Sequence, residues 1–221
     1  MSYDAGVAVA SLLWVKWGTA FVDLDNDGWL DLISVNGQVY PQVDRFPSGA
    51  RYRQPKNLFM NQRNGTFCDA ETQAGPALQI PRVSRGLAIA DLFNTGNVDV
   101  VIADLDGQPM ILKNQGLPGK HWVSFELAGT KSNRLAIGAK LKLVAGGMTQ
   151  TAEIFSGGSY LSNHDFRVHF GLNDTAKIDS LEIHWPSGKV ETIKDLKADQ
   201  FYAALEGSGI VDRDKIVPKK K

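Results

Sequence analysis

The sequence predicts an all-β chain in two parts, a pair of related sheets followed by a small β-sandwich or barrel. Three observations predict it. Glycine is frequent, at 22 of 221 residues, and most glycines stand at turn-like positions between short β-branched or apolar runs. A hairpin-like stretch beginning near Gly18 returns in altered form around Gly86, which is the signature of a repeated unit. After Gly116-Leu117-Pro118-Gly119-Lys120 the texture changes to short runs, several of which alternate apolar and polar residues as half-buried strands do.

Composition excludes several classes. Lysine plus arginine equals aspartate plus glutamate at 24 each, so no basic surplus argues for nucleic acid. The single cysteine, Cys68, rules out an intrachain disulfide. No run approaches a membrane span. Ala8 to Val15 is apolar but lacks a basic leading segment, so it does not read as a signal peptide. No nucleophile elbow, P-loop or dinucleotide fingerprint is present, and the four histidines show no zinc spacing.

The strongest local signal is Gly18 to Gly37, GTAFVDLDNDGWLDLISVNG. Asp23, Asp25, Asp27 and Asp31 surround Gly28 in the order D-x-D-x-D-G-x-x-D. Carboxylates at this density repel one another unless a cation sits among them, and oxygen ligands in this number suit Ca²⁺. Gly28 supplies the sharp turn. The carbonyl of Trp29, at loop position seven, is the expected backbone ligand. An EF-hand starts alike but needs a glutamate at position twelve and helices on both sides; Ser34 stands there, and both flanks are strand-like. The stretch is therefore read as a metal-bound β-hairpin. The plain alternative is a solvated acidic turn.

In chain order, Met1 to Lys16 reads as a turn and an apolar strand or connector. Gln38 to Pro55 is a long aromatic and basic loop holding Tyr40, Asp44, Arg45 and Arg51, of a length that is often functional. Leu58-Phe59-Met60, Asn64-Gly65 and Thr66-Phe67 make a hairpin. Gly86 to Asp106 is the second copy of the acidic hairpin. Asp91 matches Asp23, Gly96 matches Gly28 and Asp99 matches Asp31, an offset of 91 − 23 = 68 residues. Phe93 and Thr95 replace Asp25 and Asp27, so Asp91, Thr95 and Asp99 form a loop that has lost calcium or binds it weakly; side-chain hydrogen bonds can hold such a turn. Pro109 to Asn114 is a last strand. Seven strands are expected beyond it: His121–Leu127, Ala139–Val144, Gln150–Phe155, Arg167–Phe170, Ile178–Trp185, Lys189–Ile193 and Phe201–Leu205. His169 is expected to be packed and hydrogen-bonded. Gly207 to Lys221 reads as a flexible basic tail.

On these residues the first half resembles the FG-GAP, or VCBS, repeats of integrin-type β-propellers. The second half closely resembles the ASPIC/UnbV domain, through Gly129-Thr130-Lys131-Ser132-Asn133-Arg134, Ile137-Gly138-Ala139, Ser156 to Ser162, His169-Phe170-Gly171-Leu172 and Trp185-Pro186-Ser187-Gly188. The resemblance is to the C-terminal part of the cartilage acidic protein-like family. It implies residues 1–116 as repeat region, with blade-like units at about 17–70 and 85–115, and residues 117–206 as the ASPIC/UnbV domain. Two blades make only an incomplete propeller with open sheet edges. The missing blades lie upstream in a longer protein, come from another chain, or are replaced by packing on the C-terminal domain; a fragment is the favoured reading.

The functional expectation is a calcium-stabilised, non-enzymatic binding or adhesion module, extracellular or in the periplasm or cell envelope, with a protein or glycan partner. The metal is expected to be structural. The alternative, also implied by the resemblance, is a carbohydrate- or natural-product-processing enzyme or accessory subunit using a propeller metal. A third reading docks partners by sheet edges. Tyr40, Asp44, Arg45, Asn133, Arg134, Ser159, Tyr160 and Arg167 are the candidate ligand-binding residues.

Overall fold

A computed structural model describes residues 2–105 and 107–217. Among them, no helix is long and apolar enough to cross a membrane. The N-terminal segment, read as strand or connector, instead holds one helical turn, α1 (Ala8–Ser11).

The first sheet contains β1 (Lys16–Val22), β2 (Asp31–Asn36), β3 (Asn57–Asn61) and β4 (Phe67–Asp69) in sequence order. After the single helical turn α2 (Pro76–Gln79), a second sheet contains β5 (Ser84–Ala90), β6 (Asp99–Asp104) and β7 (Met110–Leu112), also in order. Every pair is antiparallel. The period-two pattern is visible in β1, where Gly18, Ala20 and Val22 are buried and Thr19 and Phe21 are exposed. The buried face meets the second sheet: Ala20, Val22, Ile33, Val35 and Leu58 share one core with Leu87, Val100 and Ile102. Each valine, leucine or isoleucine among them contributes about 1.5–3 kcal/mol when fully buried.

The chain then builds two four-stranded sheets and a two-stranded one. Residues His121–Ala128 (β8), Lys140–Ala145 (β9), Met148–Glu153 (β10), Gly158–Ser159 (β11), Ser162–Asn163 (β12), Val168–Asn173 (β13), Lys177–His184 (β14), Val190–Lys197 (β15), Gln200–Leu205 (β16) and Gly209–Val211 (β17) are strands. The two-stranded sheet is made of β11 and β12, between β10 and β13 in the chain. One four-stranded sheet has the order β10-β9-β14-β15, the other β13-β8-β16-β17, with β16 parallel to β8. Their facing residues, among them Phe125, Leu141, Leu143, Phe170, Leu181 and Ile183, form the larger core. Neither sheet closes into a barrel. All seven predicted strands are present, several shifted at their ends.

The expectation of a mobile tail from Gly207 is overturned for the described residues. Strand β17 pairs with β16, and Ile216 packs against Ala128 and Ala203. Residues 218–221 of that expectation, and Asp106 of the second acidic hairpin, lie outside the described residues.

Two family-like motifs are tied by one side chain that the sequence reading passed over. Glu206, 3% exposed, accepts from the backbone N–H of Thr130, Lys131 and Ser132 at 2.8 Å each, and from the hydroxyls of Ser132 and Ser187. Burial alone would raise its pKa, but the Ser187 hydroxyl and the three N–H groups outweigh it and hold the carboxyl at about 2.

Candidate metal centre

The loop between β1 and β2 is built by its own aspartates. Asn26 and Gly28 adopt φ of +57° and +90°, the left-handed turn that the loop needs. Asp23 accepts from the N–H of Asp27 at 3.1 Å with Oδ1 and of Gly28 at 2.7 Å with Oδ2. Asp31 accepts from Leu24 N–H at 3.1 Å and from Asn61 N–H at 2.9 Å. Asp27 accepts from Trp29 N–H with one oxygen and pairs with the Arg63 guanidinium at 2.6 Å with the other. Asp25 differs, because its Oδ1 is without accessible surface and has no hydrogen-bond partner.

Asp23, Asp25 and Asp27 each offer an oxygen within 4.8 Å of the others. These three are the side chains whose oxygens converge closely enough that they could hold a cation. Asp31, expected as the fourth, stands outside this group with its carboxylate bridging two backbone N–H groups. Trp29 contributes backbone only at this loop; its ring is 38% exposed. The electrostatics are unfavourable without a counter-charge. Burial first, then Asp27 and Asp25, push the Asp23 carboxyl up to about 8. Burial likewise raises Asp31 to about 6 and raises Asp25, with Asp27 adding to the latter.

The second loop repeats the frame. Asp91 accepts from Thr95 and Gly96 N–H at 2.9 and 2.7 Å, and Asp99 from Leu92 and Asn114 N–H at 3.0 and 2.8 Å. Asn94 and Gly96 take the same left-handed turn. Here the Phe93 ring is half exposed, with the Lys113 ammonium 4.7 Å from its centre. Two carboxylates remain, and both are spent on backbone.

Both loops dock on the C-terminal sheets. The Asn26 amide donates to Gly96 O at 3.0 Å and Asn97 Oδ1 at 3.2 Å, which leaves its oxygen to accept from His169 Nε2 at 2.7 Å. Asn173 N–H donates to Asn26 O at 2.8 Å. Gly171 lies so close that a Cβ there would land on Asp23 Oδ2, and a Cβ at Gly96 would enter the Trp122 ring. Arg167 donates to Asp165, to Asn94 Oδ1 and to Asp91 O, and stacks over Phe201. His169 is thus packed and hydrogen-bonded; burial lowers its pKa to about 4, with Asp91 opposing and Arg167 adding to the fall.

The other candidate residues do not form one site. Tyr40 and Arg45 are exposed and Asp44 accepts from Tyr52 N–H. Asn133 braces Ile137, and Arg134 reaches Ile216 O. Ser159 accepts from Thr19 N–H, and the Tyr160 ring meets Trp17 edge-on at 4.8 Å. Ser159, Tyr160 and Arg167 therefore join the halves of the molecule. His164 and Asp165 do the same, bonding Ile89 N and O.

Sequence reasoning missed Asn26, Arg63, Asn61 and Asn114. The last two occupy matching places, each donating its side-chain amide to the residue before the second anchoring aspartate, Leu30 or Val98. A signal was present but displaced: their offset is 114 − 61 = 53 residues, against 68 for the loops, because the β2–β3 connection is 15 residues longer than the β6–β7 connection.

Residues 129–211 match the protein-family model described as ASPIC and UnbV. That match bears out the resemblance for the C-terminal part. No curated protein matches the chain.

Proposed function

We propose that the chain is a calcium-stabilised, non-enzymatic binding module, and that its ion fastens the first sheet to the C-terminal domain. Asp23, Asp25 and Asp27 would hold the ion, with the Trp29 carbonyl as backbone donor and Asp31 shaping the loop. The observation that carries this reading is the buried, partnerless Asp25 Oδ1 among three converging carboxylates. A hard cation supplies the positive charge that Arg63, ion-paired with Asp27 alone, does not bring to all three. The two N-terminal sheets are read as FG-GAP-type blades on the repeat of Asp, Asn, Gly and Asp at matching positions. Millimolar extracellular calcium suits a modest-affinity loop of this kind, which supports an extracellular or cell-envelope setting.

The enzymatic alternative needs an ion with a coordination position open to substrate. Asp23 and Asp27 are 4% and 5% exposed, which favours the structural role. Calcium titration calorimetry on chelator-treated protein tests the proposal. Uptake of one ion per chain is expected; no heat and no uptake by folded protein overturns it.

A further inference from the structure

The cleft between the two halves has a volume of about 700 Å³. One wall is β10, an edge strand of its sheet. The turn that precedes it, Gly146-Gly147, has φ of +57° and +81°, as a two-residue type I′ hairpin requires. In such a hairpin the closing pair, Ala145 and Met148, shares both backbone bonds, and bonded pairs then alternate: Gln150 with Leu143, Ala152 with Leu141. Thr149, Thr151 and Glu153 therefore aim N–H and C=O away from β9, at the open edge. Among the described residues, no backbone bond outside the ladder meets them.

Open edges are usually blunted, and other edges of this molecule follow that rule; β1 and β5, the edge strands of the first two sheets, each carry a bulge. Pro109 and Lys113 flank β7. Lys194, Lys197 and a left-handed Asp195 break up β15. Strands β4 and β17 have three residues each. The β13 edge is covered, since Asn173 N–H bonds Asn26 O. Strand β10, MTQTAE, is six residues long, with no proline, lysine or bulge. The same cleft is walled by large apolar side chains that remain exposed, Phe21 at 60%, Leu30 at 51% and Phe155 at 52%.

We infer that β10 is a strand-addition site for an extended, uncharged segment of a partner protein. Such a segment completes the ladder through Thr149, Thr151 and Glu153, and places alternate apolar side chains against Phe21, Leu30 and Phe155. An extended backbone is the occupant because free N–H and C=O groups at strand spacing recognise another strand. The apolar wall selects against charge; Glu153, the one acidic side chain of β10, already lies 3.8 Å from Lys140. The inference does not depend on the calcium reading.

A random twelve-residue peptide library displayed against the full chain tests this, with recovered peptides synthesised and their affinities measured by fluorescence anisotropy. Recovered sequences should carry β-branched or aromatic residues at alternate positions. Thr151→Pro should weaken them at least tenfold while leaving the melting temperature nearly unchanged, because it removes only an outward N–H. Thr149→Lys, which keeps every donor but charges the edge, should also weaken binding and decides the matter if the proline variant fails to fold. Failure to recover any peptide, or peptides that bind both variants as tightly as the parent, overturns the proposal. So does concentration-dependent self-association lost in Thr151→Pro, which would make a second copy the occupant.

Discussion

Residues 23–31 and 91–99 turn the chain with the same four backbone hydrogen bonds to aspartate, yet only the first keeps the two intervening carboxylates. In both loops the first and last aspartates act as anchors. Asp25 and Asp27 do none of that anchoring of the strand ends. The second loop therefore works as a natural control: the same four anchoring bonds form without them, so the first and last aspartates suffice for that frame, to which Asp27 adds the Trp29 N–H bond. The acidic pattern thus separates into anchors that shape backbone and, on the reading proposed above, a pair that draws a cation. The second loop meets the Arg167 guanidinium from the C-terminal domain through a carbonyl and an amide oxygen; the first meets Gly171 and His169.

The largest expected effect breaks the joint itself. Gly171→Val places atoms on Asp23 and should cost about 3 kcal/mol or more, at the upper end of overpacking. Calorimetry should then resolve two unfolding transitions in place of one. Next, adding excess chelator to calcium-loaded protein should remove about 2.7 kcal/mol at a hundredfold excess of ion over Kd, roughly 5–10 °C in Tm for a chain this size. Asp25→Ala with Asp27→Ala should abolish the chelator response, whereas Phe93→Ala with Thr95→Ala should leave it intact.

Glu206→Gln sharpens the comparison from a third loop, where a carboxylate gathers backbone N–H groups with no cation. A loss of roughly 2 kcal/mol at neutral pH is expected, since hydrogen bonds to a charged acceptor are worth ~1.5–3 kcal/mol each. The carboxyl is held at about 2 against an ordinary 4.5. Its contribution is therefore full above pH 4.5 and is lost as pH falls toward 2. Denaturant titrations across that window should show a shallower acid limb in the variant. The smallest change in stability comes from Phe93→Asp with Thr95→Asp, which rebuilds the missing pair on an intact frame; calorimetric stoichiometry should rise from one ion to two.

Much of this was legible from the residues. The period-two runs placed both hairpin pairs and all seven C-terminal strands, because strand burial writes itself into local alternation. The aspartate and glycine spacing located the loop and its degenerate copy. What stayed hidden were contacts between distant parts of the chain. Asn26 and His169 are 143 residues apart, and a side chain at Gly171 is excluded by Asp23 and the Asn26 backbone, which lie against it. Nothing in a local window marks Glu206, whose backbone N–H partners sit some seventy residues earlier. The short strand β17 escaped because three residues leave no period to read, and its neighbour Ile216 is buried by a tertiary contact.

The closeness of Gly171 to Asp23 has a bearing on how such a molecule can change over time. The linker at Gly116 to Lys120 invites cutting and recombination, but a severed C-terminal domain would bare the Trp122 ring and the bed that receives both turns. Neither half can be exchanged without matching a side-chain-free spot on one to a carboxylate on the other. The two halves are thus expected to travel through descent as a matched pair.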